Sequence, residues 1–232
     1  MNNAVVTGGT KGIGKALCKL FAESGFNVAT CSRNSSDLAL LKQELSQHPV
    51  EVLVHQADLS NKLEIKSMAA FVSSRWERID ILVNNAGIFV PGSVLTEDED
   101  SLDTMLANNL YSAYFLSRHL VPMMVEQRSG HVFNICSVAS ITAYPNGGSY
   151  TISKHAMLGF SRMLRLELKD KGIKVTSVIP GATWTFSWEG ANFPEDRLMQ
   201  PDDIARSILS AYLLGPTAVV EEILIRPQLG DL

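Results

Sequence analysis

The sequence predicts an α/β protein: a single domain, residues 1–232, built on one doubly wound parallel sheet of about seven strands with helices on both faces. Three observations predict it. Short Val/Ile-rich runs alternate with amphipathic stretches along the whole chain, the strand–helix–strand rhythm of a parallel sheet. Several of these runs are continuously apolar, as strands covered on both faces are. A glycine-rich loop, Gly8-Gly9-Thr10-Lys11-Gly12-Ile13-Gly14, joins the first run to the first amphipathic stretch.

The elements follow in order. Ala4–Thr7 is the first strand, and the glycine loop leads from it into a helix near Ile13–Ser24. Asn27–Cys31 is the second strand, followed by a helix near Asp37–Gln47; Val50–His55 is the third, followed by a helix near Asn61–Trp76. Ile81–Asn84 is a short apolar fourth strand, and the long amphipathic stretch Asp98–Gln127 is one helix. His131–Cys136 is the fifth strand, with the helix Ser149–Lys171 after it. Lys174–Ile179 is the sixth, ended by Pro180-Gly181 because proline has no N–H to give a sheet. The last helix, Pro201–Leu213, opens with a proline where a missing N–H costs nothing, and Val219–Ile225 closes the sheet. No linker, repeat or charge block divides the chain. The segment 183–200 carries Trp184, Phe186, Trp188 and Phe193 without clear periodicity, and reads as a lid over a substrate site.

Composition narrows the function. A net charge of −4 and a pI near 5.7 give no support to nucleic acid as a partner. No apolar run approaches the roughly 20 residues of a membrane helix, and with the first strand-like run beginning at Asn3 no secretory leader is expected. The three cysteines (Cys18, Cys31, Cys136) are odd in number and sit in apolar settings, so free thiols in a cytoplasmic protein are expected. No metal-ligand spacing is present.

The chemistry lies in the loops after the strands, where open α/β sheets bind their ligands. Glycines let the first loop turn tightly and approach a ligand closely, and the following helix offers N–H groups to a pyrophosphate. Tyr150 and Lys154 are four apart, on one face of a helix. An isolated phenol holds its proton to about pH 10, and a lysine ammonium beside it favours the phenolate, so such a pair suits acid–base work near neutral pH.

In order along the chain stand Thr7-Gly8-x-x-x-Gly12-Ile13-Gly14, Asn84-Asn85-Ala86-Gly87, Asn134-Ile135-Cys136-Ser137, Tyr150-x-x-x-Lys154 and Pro180-Gly181-Ala182-Thr183-Trp184-Thr185. The whole chain thereby resembles the short-chain dehydrogenase/reductase family, with its Rossmann-type fold. The resemblance implies an oxidoreductase that moves hydride between a nicotinamide cofactor and a small-molecule carbonyl or alcohol. It implies a catalytic set of Asn109, Ser137, Tyr150 and Lys154, with Cys136 replacing the first serine of the family motif. Asn109 is favoured by family spacing over the adjacent Asn108. It implies cofactor contacts from Gly8, Thr10, Lys11, Gly12, Ile13, Gly14, Ser32, Arg33, Asp58, Leu59, Asn85, Ala86, Gly87, Tyr150, Lys154, Pro180, Gly181, Thr183 and Thr185.

The cofactor expected is NADP(H). NAD-dependent relatives place an acid at the end of the second strand to bind the ribose diol, whereas this chain reads Ser32-Arg33, with Lys11 as a second cation. The expected reaction is reduction of a small ketone or dicarbonyl with Tyr150 as general acid. A 3-oxoacyl-thioester reductase and a non-catalytic NADP-binding regulator are the alternatives. Only fifteen residues separate Thr185 from Pro201, a short lid, and its aromatics favour flat or compact substrates. The C-terminal stretch is similar to the tails of bacterial sepiapterin-reductase-like members. The resemblance also implies a homodimer or homotetramer built on the two long helices.

Overall fold

Asn3–Thr7 is buried at every residue and forms strand β1 in the middle of a parallel sheet, paired with β2 (Asn27–Ser32) on one side and β4 (Ile81–Asn84) on the other. The computed structural model describes residues 1–185 and 194–230. Among these residues the sheet has the order β3-β2-β1-β4-β5-β6-β7, with β3 at Val52–Gln56, β5 at Gly130–Ile135, β6 at Ile173–Pro180 and β7 at Glu222–Ile225. Every neighbouring pair is parallel.

Parallel strands need crossover helices, and these cover both faces. Alternate side chains of a strand point to opposite faces. Ala4 and Val6 pack with α1 (Gly12–Glu23), α2 (Ser35–Leu45) and α7 (Pro201–Tyr212). Val5 packs with α3 (Lys62–Ser73) and α5 (Ser112–Gln127). On the α5 side, α6 (Gly148–Leu168) also lies against the sheet through Leu168 and Met157. Phe21 and Phe133 are fully buried in the first core; truncating a ring of this kind costs about 3–5 kcal/mol.

Local chemistry sets several boundaries. α2 begins at Ser35 because Asn34 Oδ1 accepts the N–H groups of Ser36 (2.8 Å) and Asp37 (3.2 Å). Asn61 caps α3 in the same way through Leu63 N. α3 stops at Ser73, short of the expected Trp76, whose indole N–H instead reaches Glu51 Oε2 at 2.7 Å.

Two expectations are corrected. The stretch Asp98–Gln127 is not one regular helix: α4 (Ser101–Leu106) and α5 are joined by a π turn, Ala107–Tyr111. The last strand is Glu222–Ile225, not Val219–Ile225, since only those residues find register partners on β6. Of the lid aromatics, Phe186, Trp188 and Phe193 lie outside the described residues.

Candidate active site

β1 lies between β2 and β4: the chain winds outward from β1 through β2 to β3 on one side and resumes from β4 on the other, so a crevice opens beyond the carboxyl end of β1. The glycine loop fills that position. Gly8 has φ +67°, which glycine adopts without strain, and a Cβ on it would stand 3.3 Å from Ala86 Cα. A Cβ at Gly14 would collide with the Gly8 carbonyl. Thr7 Oγ1 accepts the N–H groups of Asn85 and Ala86, both at 2.9 Å, and Asn85 Nδ2 donates to Thr7 O at 2.8 Å. The ends of β1 and β4 are thus joined into one surface. Thr7 was not singled out from the sequence, although it stands in the motif.

At the far end of this surface, Gly9 N donates to Thr30 Oγ1 (3.0 Å) and Thr10 Oγ1 to Ser32 Oγ (3.2 Å), fastening the loop to the end of β2. Arg33 follows there, exposed, with no ion pair among the described residues; only its carbonyl is engaged, by Gln56. Lys11 lies 3.7 Å from Asp37, a pair that the sequence did not announce. Asp58 Oδ1 is held by the N–H and hydroxyl of Ser60, while the Leu59 side chain is in the core. Ile13 packs on the core as the second residue of α1.

After β6, buried Pro180 ends the strand and Gly181 N donates to Ile225 O at 2.8 Å. Thr183 turns its hydroxyl back to Gly181 O, whereas Thr185 reaches the glycine loop: a Cβ on Gly12 would stand 3.1 Å from its Cγ2. A cleft of about 660 Å³ beside this contact is lined by Thr10, Lys11, Gly12, Lys15, Trp184 and Thr185, among others.

The four catalytic candidates come from three different helical elements. Ser137 stands at the end of β5 as the N-cap of a 3₁₀ turn, where its Oγ accepts Ala139 N at 3.1 Å and Ser140 Oγ accepts Ser137 N. Tyr150 and Lys154 project from the first turns of α6. Lys154 Nζ donates to Ile135 O at 2.9 Å and lies 5.8 Å from the centre of the Tyr150 ring. Lys154 is only 5% exposed, yet no carboxylate pairs with it among the described residues. Gly87 lies close by: a Cβ there would stand 3.7 Å from Lys154 Nζ and 2.9 Å from Asn109 Oδ1.

Asn109 is buried, held in the π turn, a helical irregularity often found at functional sites. Its Oδ1 accepts Ile88 N (2.8 Å), and its Nδ2 donates to Ile88 O and Ser153 Oγ, both at 3.0 Å. Asn108 instead turns to Thr104 O of its own helix. Ser153, which the sequence did not mark, donates on to Tyr150 O at 2.7 Å. The sheet centre fixes α6 from below: Asn84 Nδ2 donates to Asn134 Oδ1, Asn134 Nδ2 to Ser161 Oγ on α6, and Ser177 Oγ to the same Ser161. Phe89 stands edge-on to Tyr150, with ring centres 4.9 Å apart.

Burial sets the character of the neighbouring groups. Burial pushes Tyr144 up to about 12, with Tyr150 adding to the effect, so Tyr144 stays a neutral hydroxyl beside the site. Burial likewise raises the Cys136 thiol to about 11, against the pull of Lys154, so it is an apolar spacer next to Ser137 and not a nucleophile. Among the described residues no cluster of His, Cys, Asp and Glu could hold a metal, and no helix is long and apolar enough to cross a membrane.

Residues 2–195 match the family model described as short chain dehydrogenase. A sepiapterin reductase of Chlorobaculum tepidum is 32% identical over 98% of this chain and 97% of its own length. Among solved structures, a metagenomic short-chain oxidoreductase in complex with NADP superimposes with a TM-score of 0.86 at 30% identity, covering 98% of this chain and 97% of that one. The closed form of a serine dehydrogenase complexed with NADP+ gives 0.88 at 27% identity over 96% and 94% of the two chains. Match and geometry agree over nearly the whole length, and the chain belongs to the short-chain dehydrogenase/reductase family.

Proposed function

We propose that the protein is an NADPH-dependent reductase of small ketones or dicarbonyls, with Tyr150 as the proton donor. The observation that carries the reading is the buried Lys154 ammonium. An unpaired buried cation is expensive to maintain and is retained where it acts on something. Ile135 O takes one of its three N–H groups, leaving others for ribose hydroxyls of a cofactor. Its Nζ also lies 5.8 Å from the centre of the Tyr150 ring, one helical turn away.

The residues present fit NADP(H). The positive φ of Gly8 and Gly12, and the lack of room for a Cβ at Gly14, mark a backbone kept bare for close approach of a pyrophosphate at the start of α1. Arg33 just after β2 and Lys11 in the glycine loop, with no acid at the end of β2, support recognition of a ribose 2′-phosphate. NADP and NADP+ are present in the two similar solved structures. When bound, the reduced cofactor supplies a hydride to the substrate carbonyl carbon. Tyr150 gives its proton to the carbonyl oxygen, a contribution of roughly 10²–10⁴-fold. Ser137 Oγ orients that oxygen by a hydrogen bond. Asn109 and Lys154 complete the route by which the phenol is reprotonated.

Phe89 and Tyr144 beside Tyr150 support a flat or compact substrate, and the similarity to a sepiapterin reductase supports a pterin-like ring among those worth testing. The exposed side chains of Tyr114 on α5 and of Ile152, Met163 and Leu166 on α6 support a homo-oligomer. The test is Tyr150→Phe. NADPH should bind with nearly unchanged affinity while ketone-dependent NADPH oxidation falls roughly 10²-fold or more. Substantial residual turnover would remove Tyr150 from its role.

A further inference from the structure

Helix α6 carries Tyr150 and Lys154 but has no cap of its own. Its N-cap residue is Gly147, without a side chain to accept an N–H, and its first turn holds no acid. The free N–H groups at a helix start are satisfied by a side-chain acceptor, and the positive end of the helix favours an anion there. Both are supplied from the connection between β4 and α4, 52 residues away. Glu97 Oε2 accepts Ser149 N at 3.2 Å, and Glu97 Oε1 accepts the Ser149 hydroxyl. Ser149 is buried and immediately precedes Tyr150.

The surroundings are shaped to admit that carboxylate. A Cβ on Gly148 would stand 2.6 Å from Glu97 Oε2, and one on Gly92 would stand 2.9 Å from it, so both positions leave room that a side chain would take. Gly92 also pairs with Gly147 in an isolated parallel bridge, and Gly92 N donates to Asn146 O at 3.0 Å. The other end of the same connection is Ile88, gripped on both its N–H and C=O by Asn109, and Phe89 between them lies edge-on to Tyr150.

We infer that Glu97 is a positioning residue for Tyr150: its carboxylate is the missing cap of α6 and locks the first helical turn, with the phenol, to the segment bearing Phe89. The inference rests on the reading of Tyr150 as proton donor. Loss of the cap leaves the N–H and hydroxyl of Ser149 seeking water and frees the turn to shift. A displacement of about 1 Å at the reacting group is enough to cost up to roughly 10²-fold in rate.

The experiment compares Glu97→Ala and Glu97→Gln, each alone and combined with Tyr150→Phe, measuring kcat, KM, NADPH affinity and thermal midpoint. Glu97→Ala should lower kcat roughly tenfold while NADPH affinity stays within about twofold. Glu97→Gln keeps an oxygen acceptor for Ser149 and should recover most of the loss. In the Tyr150→Phe background the Glu97→Ala change should have little further effect, because its route to the chemistry is gone. Unchanged kcat in Glu97→Ala, a loss carried by NADPH affinity, no rescue by glutamine, or an equal further loss in the Tyr150→Phe background would each overturn the inference. Failure of the proton-donor reading is seen separately, as full turnover by Tyr150→Phe alone.

Discussion

Asn109 and Ser153 are joined by a 3.0 Å hydrogen bond that ties the π turn before α5 to the helix bearing Tyr150 and Lys154. The bond is buried at both ends, and Ser153 Oγ passes it on to Tyr150 O.

Asn109→Ala is expected to be the more damaging change of the two. It takes the Asn109 partner from Ile88 N and Ile88 O, each such orphan costing about 1–3 kcal/mol, and removes the donor to Ser153 Oγ, which keeps its bond to Tyr150 O. Ser153→Ala leaves Asn109 both of its bonds to Ile88 and should cost about 1–2 kcal/mol. Urea unfolding ranks the pair, and kcat should fall in the same order. If Ser153→Ala were the worse, the Asn109 contacts to Ile88 would not be what holds this corner.

Cofactor choice should depend unequally on the two cations. Arg33 makes no ion pair among the described residues, so its guanidinium is available to a phosphate, and Arg33→Ala should weaken NADPH binding about 10–100-fold. Lys11 is shared with Asp37 at the surface, so Lys11→Ala should cost only a few-fold, about 1 kcal/mol or less. NADH affinity should change little in either variant. Calorimetric titration with both nucleotides decides it, and equal losses for NADPH and NADH would sink the assignment.

His131 should make the fold sensitive to acid. Burial, with Lys174 nearby, lowers its imidazole from the usual 6.5 to about 3. Thr176 gives its hydroxyl proton to Val220 O and so accepts from His131 Nε2, which places the neutral ring with its proton on that nitrogen. Between pH 6.5 and about 3 the unfolded chain binds a proton that the native one refuses. This group's contribution is therefore intact above pH 6.5 and falls by about 1.4 kcal/mol per unit as pH drops through that window. Chemical denaturation at pH 7 and pH 5 should show a smaller difference in His131→Asn than in the parent protein. Equal differences would mean the ring titrates normally.

Light scattering at micromolar concentration is expected to give a dimer or tetramer. Ile152, Met163 and Leu166 are each more than two-fifths exposed on α6, far more apolar surface than a solvated helix face needs. Met163→Glu should shift the mass toward monomer; an unchanged monomeric mass in the parent protein would refute the assembly.

The parts of the site legible in the sequence are those whose geometry is local. Gly8, Gly12 and Gly14 mark a bare loop at a strand end whatever surrounds them, and a spacing of four on a helix brings Lys154 beneath Tyr150 without help from other segments. The parallel sheet was legible for a related reason: strand-like runs separated by helical stretches are joined by crossovers, which only parallel strands need. The interruption at Asn109 was not legible, because Ile88 and Ser153, which hold it, are 21 and 44 residues away. Nor was the shortened β7, which depends on where its partner β6 can accept it.

The sequence by itself determined the class of fold, the bare glycine loop after the first strand and the pairing of Tyr150 with Lys154 on one helix face, which follow from periodicity and short spacings, while Ser137 was marked by the family resemblance. Tertiary structure alone decided which groups hold them in place. Glu97 caps a helix that lacks a cap, Asp37 answers Lys11, and Thr7 joins the ends of two strands. Each of these joins residues far apart in the chain, and a hydrogen bond or ion pair exists only where folding has brought its two ends within about 3–4 Å.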